Sequence, residues 1–243
     1  MKIVGIVQAR MGSTRLPGKV MKEVNGKSLL EYQIERMQQS NLIDEIIIAT
    51  TNKNNEPIIQ LCKKLNVAYF VGSEQNVLER YYYSAKEHGA SIVVRMTSDC
   101  PLIDPEIIDS VINYYMENEY DYVSNTLSRT FPRGMDTEVF SMEALRDAFF
   151  NAREDFEREH VTPYLYLNAD DYNIGQYVDL NRDTSEYRLT VDTPEDFKLI
   201  SIILSDLYSV DKYFNLGRIL EKLESNPELS KINTGIQQKK LGE

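Results

Sequence analysis

Lys2-Ile3-Val4-Gly5-Ile6-Val7-Gln8-Ala9-Arg10-Met11-Gly12-Ser13-Thr14-Arg15-Leu16-Pro17-Gly18-Lys19 reads as a short buried strand, Ile3–Val7, that runs straight into a basic loop. Five basic residues (Lys2, Arg10, Arg15, Lys19, Lys22) and no acidic one fall in the first 22 positions of a chain whose net charge is −11. Two glycines and two hydroxyls share the loop with them. Such a loop meets the needs of a polyphosphate, because backbone N–H groups approach oxygens where glycine removes the side chain, and Arg and Lys neutralise the charge. A solvated surface loop is the alternative. The spacing is neither that of a P-loop nor that of the Gly-x-Gly-x-x-Gly dinucleotide fingerprint.

Outward from this stretch, strand and helix signals alternate. Ser28 caps an amphipathic segment, Leu29–Met37, with Leu30, Ile34 and Met37 at helical spacing. Asp44–Thr50 reads as a β-branched strand, Glu56–Leu65 as a helix and Val67–Val71 as a strand. Asn76–His88 is a helix ended by Gly89, Ser91–Thr97 a strand, and Asp104-Pro105-Glu106 the start of a helix to about Tyr115. The pattern predicts an α/β, three-layer fold with a mostly parallel twisted sheet. After a strand at Tyr120–Val123, the rhythm loosens: a loop over Asn125–Arg133, a strand at Thr137–Phe140, and helices at Ser141–Asn151 and about Phe156–Asn168. Short strands near Asn173–Val178 and Tyr187–Val191 precede a last capped helix after Pro194. One domain is expected over residues 1–225, with an excursion at 125–180 and a polar tail at 226–243 that includes Gln237-Gln238-Lys239-Lys240.

A chain of 243 residues, 42% apolar and 27% charged, fits one large globular α/β domain. The acidic balance argues against nucleic-acid binding. Two cysteines without metal spacing point to a reducing compartment, and the five-residue apolar run before Gln8 is too short for a signal peptide or membrane span. The expected location is cytoplasmic.

Ligands of open α/β sheets sit beyond the carboxyl ends of the strands. Asp99, in Ser98-Asp99-Cys100-Pro101, and Asp192, in Val191-Asp192-Thr193-Pro194-Glu195-Asp196, both fall there. Two such carboxylates commonly hold Mg²⁺ against nucleotide phosphates. The alternative makes both helix-start residues, but Thr193–Asp196 and Asp104 suffice as caps on their own. Arg80 either serves a ligand or pairs on its helix surface. His160, beside Glu157 and Glu159, is a general base, a sugar contact or a structural histidine. The turn Arg133-Gly134-Met135-Asp136-Thr137-Glu138 lines a polyol pocket or is a charged hairpin.

The stretches Gln8–Lys19, Ser98–Asp104 and Asp192–Asp196 resemble those of the cytidylyltransferases that make CMP-activated acidic sugars, such as the CMP-KDO and CMP-sialic acid synthetases. Within them the chain is most similar to the spore-coat polysaccharide biosynthesis branch, which Asn76-Val77-Leu78-Glu79-Arg80-Tyr81 and Arg158-Glu159-His160-Val161-Thr162-Pro163 also match. The likeness spans about residues 1–208. It implies a nucleotide-diphospho-sugar transferase (Rossmann-like) fold and Mg²⁺-dependent attack of a sugar hydroxyl on the α-phosphate of CTP, with release of pyrophosphate. By the same resemblance, Arg10, Arg15 and Lys19 hold the triphosphate, with Gly12 and Ser13 near the phosphates and Gln8 and Ala9 near the base. Arg80 and Ser98 join the nucleotide site, Asp99 and Asp192 hold Mg²⁺, and Arg133, Asp136, Glu138 and His160 face the sugar. CTP and a sugar are the implied partners, without nucleic acid or membrane, and the resembled enzymes imply a homodimer. A glycosyltransferase of related fold using a nucleotide-diphospho-sugar is the competing enzyme, and a nucleotide-binding regulatory or scaffold protein the non-enzymatic one. Three cations suit a triphosphate better than a diphosphate, and Ser98-Asp99-Cys100 lacks the Asp-x-Asp of many such glycosyltransferases.

Overall fold

Apart from Gln8, every residue of Ile3–Ala9 is buried, and a strand covered on both faces belongs at the middle of a sheet. The computed structural model, which describes residues 1–238, places it there as β1. The hairpin β2 (Glu23–Val24) and β3 (Lys27–Ser28) follows the basic loop, its turn made by Asn25 and Gly26 at φ 51° and 78°. Next come α1 (Leu29–Met37), β4 (Glu45–Thr51), α2 (Glu56–Leu65), β5 (Ala68–Gly72), α3 (Val77–Glu87), β6 (Ile92–Thr97) and α4 (Pro105–Met116). Ser28, Asn76 and Asp104 cap α1, α3 and α4 with side-chain hydrogen bonds.

The second half supplies β7 (Tyr122–Ser124), β8 (Glu138–Ser141), α5 (Met142–Asn151), α6 (Asp155–His160), α7 (Pro163–Leu167) and β9 (Ile174–Gln176), then α8 (Pro194–Leu207), α9 (Leu216–Ser225) and α10 (Pro227–Ser230). The seven-stranded sheet runs β5-β4-β1-β6-β8-β7-β9, with β1, β4, β5 and β6 parallel and β8 antiparallel to β6 and β7. One face packs Val7, Ala9, Ile48, Val94 and Met96 against α1, α4, α8 and α9. The other packs Val4, Ile6, Ala49 and Val93 against α3, α5 and α7. By the two-residue repeat, Gln8, Arg95 and Glu138 share that second face at its carboxyl end.

Three expectations are corrected. The helix expected over Phe156–Asn168 breaks in two at Val161, whose φ of 74° is unusual for a β-branched residue, and Thr162-Pro163 starts the second piece. Tyr187–Val191 forms a single bridge, Arg133 to Arg188, instead of a strand. Its partner cannot lengthen, because Pro132 has no N–H to give and Gly134 turns away at φ 104°. A Cβ on Gly134 would sit 2.5 Å from the carbonyl oxygen of Leu189. Gly134→Ala is therefore expected to cost about 2 kcal/mol or more, measured by urea unfolding; an unchanged midpoint would show that the bridge tolerates displacement.

The third correction concerns the tail. Past α9, Leu229 and Ile232 pack on the core and Asn233 is buried. Lys239 and Lys240 of the expected tail lie outside the described residues. Among the described residues, no helix is long and apolar enough to cross a membrane.

Candidate active site

The basic loop is anchored from below by buried Leu16 and Val20, which leaves its cations at the surface of the site. Gly18, in the left-handed region at φ 65°, closes the loop by donating its N–H to Met11 O at 3.1 Å. Ser13 Oγ accepts from Leu16 N at 3.4 Å. Gly12 is exposed, and a Cβ there would approach nothing nearer than Glu74 Oε1 at 3.7 Å, so its bareness leaves room for a ligand and is not required by packing. Arg10 is exposed. Arg80 is buried and donates to the carbonyl oxygens of Ser73 and, at 3.4 Å, Glu74, so it orders the turn before α3.

Lys19 brings together Asp99, just past β6, and Asp192, just before α8. Its Nζ donates to Asp192 Oδ1 at 2.8 Å and to Val191 O at 2.9 Å, and lies 3.7 Å from Asp99 Oδ2. Arg15 reaches Asp192 Oδ2 at 3.2 Å. Asp99 is tied to the same segment through its carbonyl oxygen, which accepts from Val191 N at 2.8 Å and Thr190 Oγ1 at 3.1 Å. Burial alone would push the Lys19 ammonium down, but Asp99 and Asp192 hold it above its ordinary value. Burial would likewise push the Asp192 carboxyl up, and Lys19, Arg15 and Arg188 hold it below the usual range. Both are therefore charged at neutral pH.

Asp104 caps α4, and Thr193 with Asp196 forms a capping box for α8, so neither Asp99 nor Asp192 is occupied as a helix cap. Among the described residues, no three or more His, Cys, Asp or Glu side chains group as a metal cage. Two carboxylates sharing one ammonium do fit Mg²⁺, which takes one or two protein carboxylates and fills its other positions with phosphate and water.

The opposite wall is built on the second face of the sheet. Arg95 pairs with Glu138, whose other oxygen accepts from Tyr122 OH at 2.8 Å and Thr162 Oγ1 at 2.5 Å. Glu138, expected on the sugar, is thus turned inward and satisfied by the protein. Arg95 also donates to Gln8 Oε1 at 3.2 Å, which orients the Gln8 amide at the end of β1. Ala9 and Ser98 are buried at the strand ends, with Ser98 N donating to Gln8 O at 3.2 Å. His160 ends α6, half-buried. Burial lowers its pKa and Arg95 adds to this, against Glu159 and Glu138, so the imidazole is neutral at pH 7. On the excursion, Asp136 is held by a bidentate contact from Arg129 at 2.6 and 3.1 Å. Arg133 lies near Arg129 and Arg188, and burial with these like charges lowers its pKa despite Asp136.

Lys19, Arg15, Asp99 and Asp192, each singled out from the sequence, lie together. The residues it did not single out are Arg95, Arg188 and Asp196, which hold Gln8 and Asp192 in place. For Arg95 the signal was a charged side chain inside an apolar run, Ile92-Val93-Val94-Arg95-Met96, whereas Asp196 reads from the sequence as a helix cap and Arg188 carries no such mark.

The family model described as cytidylyltransferase matches residues 4–228. An uncharacterized protein of Methanocaldococcus jannaschii is 39% identical over 100% of this chain and 99% of its own length. The spore coat polysaccharide biosynthesis protein SpsF of Bacillus subtilis is 35% identical over 83% of this chain and 85% of that protein. A solved cytidylyltransferase of Leptospira borgpetersenii superposes with a TM-score of 0.90 at 33% identity, covering 99% of this chain and 100% of that one.

Proposed function

The chain belongs to the cytidylyltransferase family, and on that premise we propose that it transfers CMP from CTP to a hydroxyl of an acidic sugar, with release of pyrophosphate, for a surface polysaccharide or glycan. The observation that carries this reading is the convergence of Lys19 and Arg15 on Asp192, with Asp99 within reach of the same ammonium.

Phosphoryl-type transfer asks mainly for positioning and charge neutralisation. Arg10, Arg15 and Lys19 bind the triphosphate oxygens and stabilise the charge that passes to the pyrophosphate as its bond to the α-phosphorus breaks. Gln8, whose amide oxygen accepts from Arg95, offers its NH₂ to the nucleotide base in this reading. Asp99 and Asp192 would hold Mg²⁺, which supplies Lewis-acid neutralisation of the phosphate oxygens. Neutral His160 and ionised Asp192 are the two side chains able to take the proton of the attacking hydroxyl. Arg133 and Asp136 border the acceptor.

Calorimetric titration with CTP, ATP, GTP and UTP, with and without Mg²⁺, followed by pyrophosphate release with a panel of sugars, tests the reading. Mg²⁺-dependent binding of CTP alone is expected; binding only to nucleotide-diphospho-sugars would replace this reading with a glycosyltransferase. Lys19→Ala and Arg15→Ala are each expected to weaken CTP binding by about 1.5–3 kcal/mol, the range for a lost hydrogen bond to a charged group. Unchanged affinity in both would remove the loop from the phosphate site.

A further inference from the structure

Asp192 faces Lys19 and Arg15 on one side, and a set of groups that includes Arg188 fixes it from behind. Asp196, fully buried in the first turn of α8, accepts from the backbone N–H of Asp192 at 3.0 Å and of Thr193 at 3.1 Å. Arg188 donates to both oxygens of Asp196, at 2.9 and 3.0 Å, and to Asp192 Oδ2 at 2.9 Å. A capping box needs only one oxygen of Asp196, so the helix start does not account for the rest. Asp196 Oδ1 and the carbonyl oxygen of Arg188 are both met by one amide: Asn233 Nδ2 donates to them at 2.9 and 3.0 Å.

Asn233 lies beyond α10, far along the chain from the site. It is 3% exposed, next to half-buried Ile232, with Lys231, Thr234 and Gly235 at the surface. A cavity of about 210 Å³ borders this segment, lined by Arg133, Tyr187, Arg188, Asn233 and Gln238 among others. On that side the segment is seated by polar contacts, those of the Asn233 amide and one from Arg188 Nη1 to Gln238 Oε1 at 2.7 Å, while Ile232 packs on the core side.

We propose that Asn233 is a positioning residue for the reaction centre. By clamping Arg188 and Asp196 to each other it sets the orientation of Asp192, so that the segment after α10 completes the site. The inference rests on the role given to Asp192 above. Arg188 and Asp196 are the partners one shell removed from the proposed metal ligand, a kind whose loss typically changes activity by about 10–100-fold, and Asn233 acts on Asp192 through these two.

The test compares Asn233→Ala with Ile232→Ala, a change that loosens the same segment on its core side and keeps the amide. Two readouts are taken: hydrogen exchange of the Asp192 and Thr193 amides without any ligand, and kcat and KM for CTP. Asn233→Ala is expected to speed exchange at those two amides by about tenfold. It should also lower kcat by roughly 10–100-fold with KM for CTP within about threefold, while Ile232→Ala leaves both readouts near the parent. Should Asn233→Ala not fold, Asn233→Ser, which keeps one short donor, carries the same contrast at smaller amplitude. Unchanged exchange or unchanged kcat overturns the proposal, as does an equal response in Ile232→Ala. If the parent protein releases no pyrophosphate from CTP with any sugar, the reaction assigned to Asp192 falls, and with it the proposal's catalytic half. The exchange contrast then still decides whether Asn233 holds Asp192.

Discussion

Asp192→Asn is expected to lower CTP-dependent pyrophosphate release by roughly a thousandfold, about 4 kcal/mol in barrier. The exchange keeps the shape and one acceptor oxygen but removes the charge that Arg15, Lys19 and Arg188 surround. With the three cations holding the carboxyl below its ordinary value despite burial, it is ionised in the parent at any pH near neutrality. A neutral amide deprives the centre of one of its two carboxylates. The same substitution releases Lys19 and Arg15 from their internal partner, so affinity for CTP in the presence of a chelator is expected to rise. Turnover within tenfold of the parent would exclude Asp192 from the chemistry. Loss of chelator-insensitive CTP binding would instead mean that the loop itself had been damaged.

The second large effect falls on stability. Glu138→Ala is expected to cost about 3–5 kcal/mol, because it strands the buried Arg95 guanidinium and leaves the hydroxyls of Tyr122 and Thr162 without their acceptor. Arg95 is held charged by that carboxylate against the pull of burial. Replacing both members, Arg95→Met with Glu138→Leu, is expected to cost less than Glu138→Ala alone, since no uncompensated charge remains. Urea unfolding of the three variants measures this. A loss below about 1 kcal/mol in Glu138→Ala would show that water or a neighbour takes over the acceptor role.

From Ile3 to Tyr115 the architecture was legible, since each inner strand is a continuous apolar run and Ser28, Asn76 and Asp104 cap their helices with side chains visible in the sequence. Asp99 was legible as a carboxylate just past an inner strand, whereas Asp192 follows a segment that forms only a bridge and stood out because Thr193 and Asp196 already suffice to cap α8. The break at Val161 was not, because a left-handed β-branched residue has no local preference to announce it; the following Thr-Pro pair was the available hint. Tyr187–Val191 has the composition of a strand, yet its partner is cut short by Pro132 and Gly134. Glu138 is expected on the sugar by the resemblance alone, since its turn reads equally as a charged hairpin. Arg95 sits directly across from it in the antiparallel register, and only tertiary pairing reveals that. Asn233 lies in a polar stretch with no periodicity, so nothing in the sequence distinguishes it from its exposed neighbours.

The pairing of Ser124 with Glu138 makes residues 125–137 a single hairpin connection hung from the β7–β8 edge. The Asn125 side chain clasps its base, donating to Met135 O at 2.7 Å and accepting from Thr137 N at 2.9 Å. Arg129, Arg133 and Asp136 therefore ride on a connection closed at its base and held along its length, with Phe131 and Met135 packed in the core and Arg133 bridged to Arg188. Lengthening such a loop costs only about 0.6 kcal/mol per doubling. On the proposed reading, in which Arg133 and Asp136 border the acceptor, insertions at the exposed tip, Leu127-Ser128, are the route by which sugar preference diverges while Lys19, Asp99 and Asp192 stay untouched.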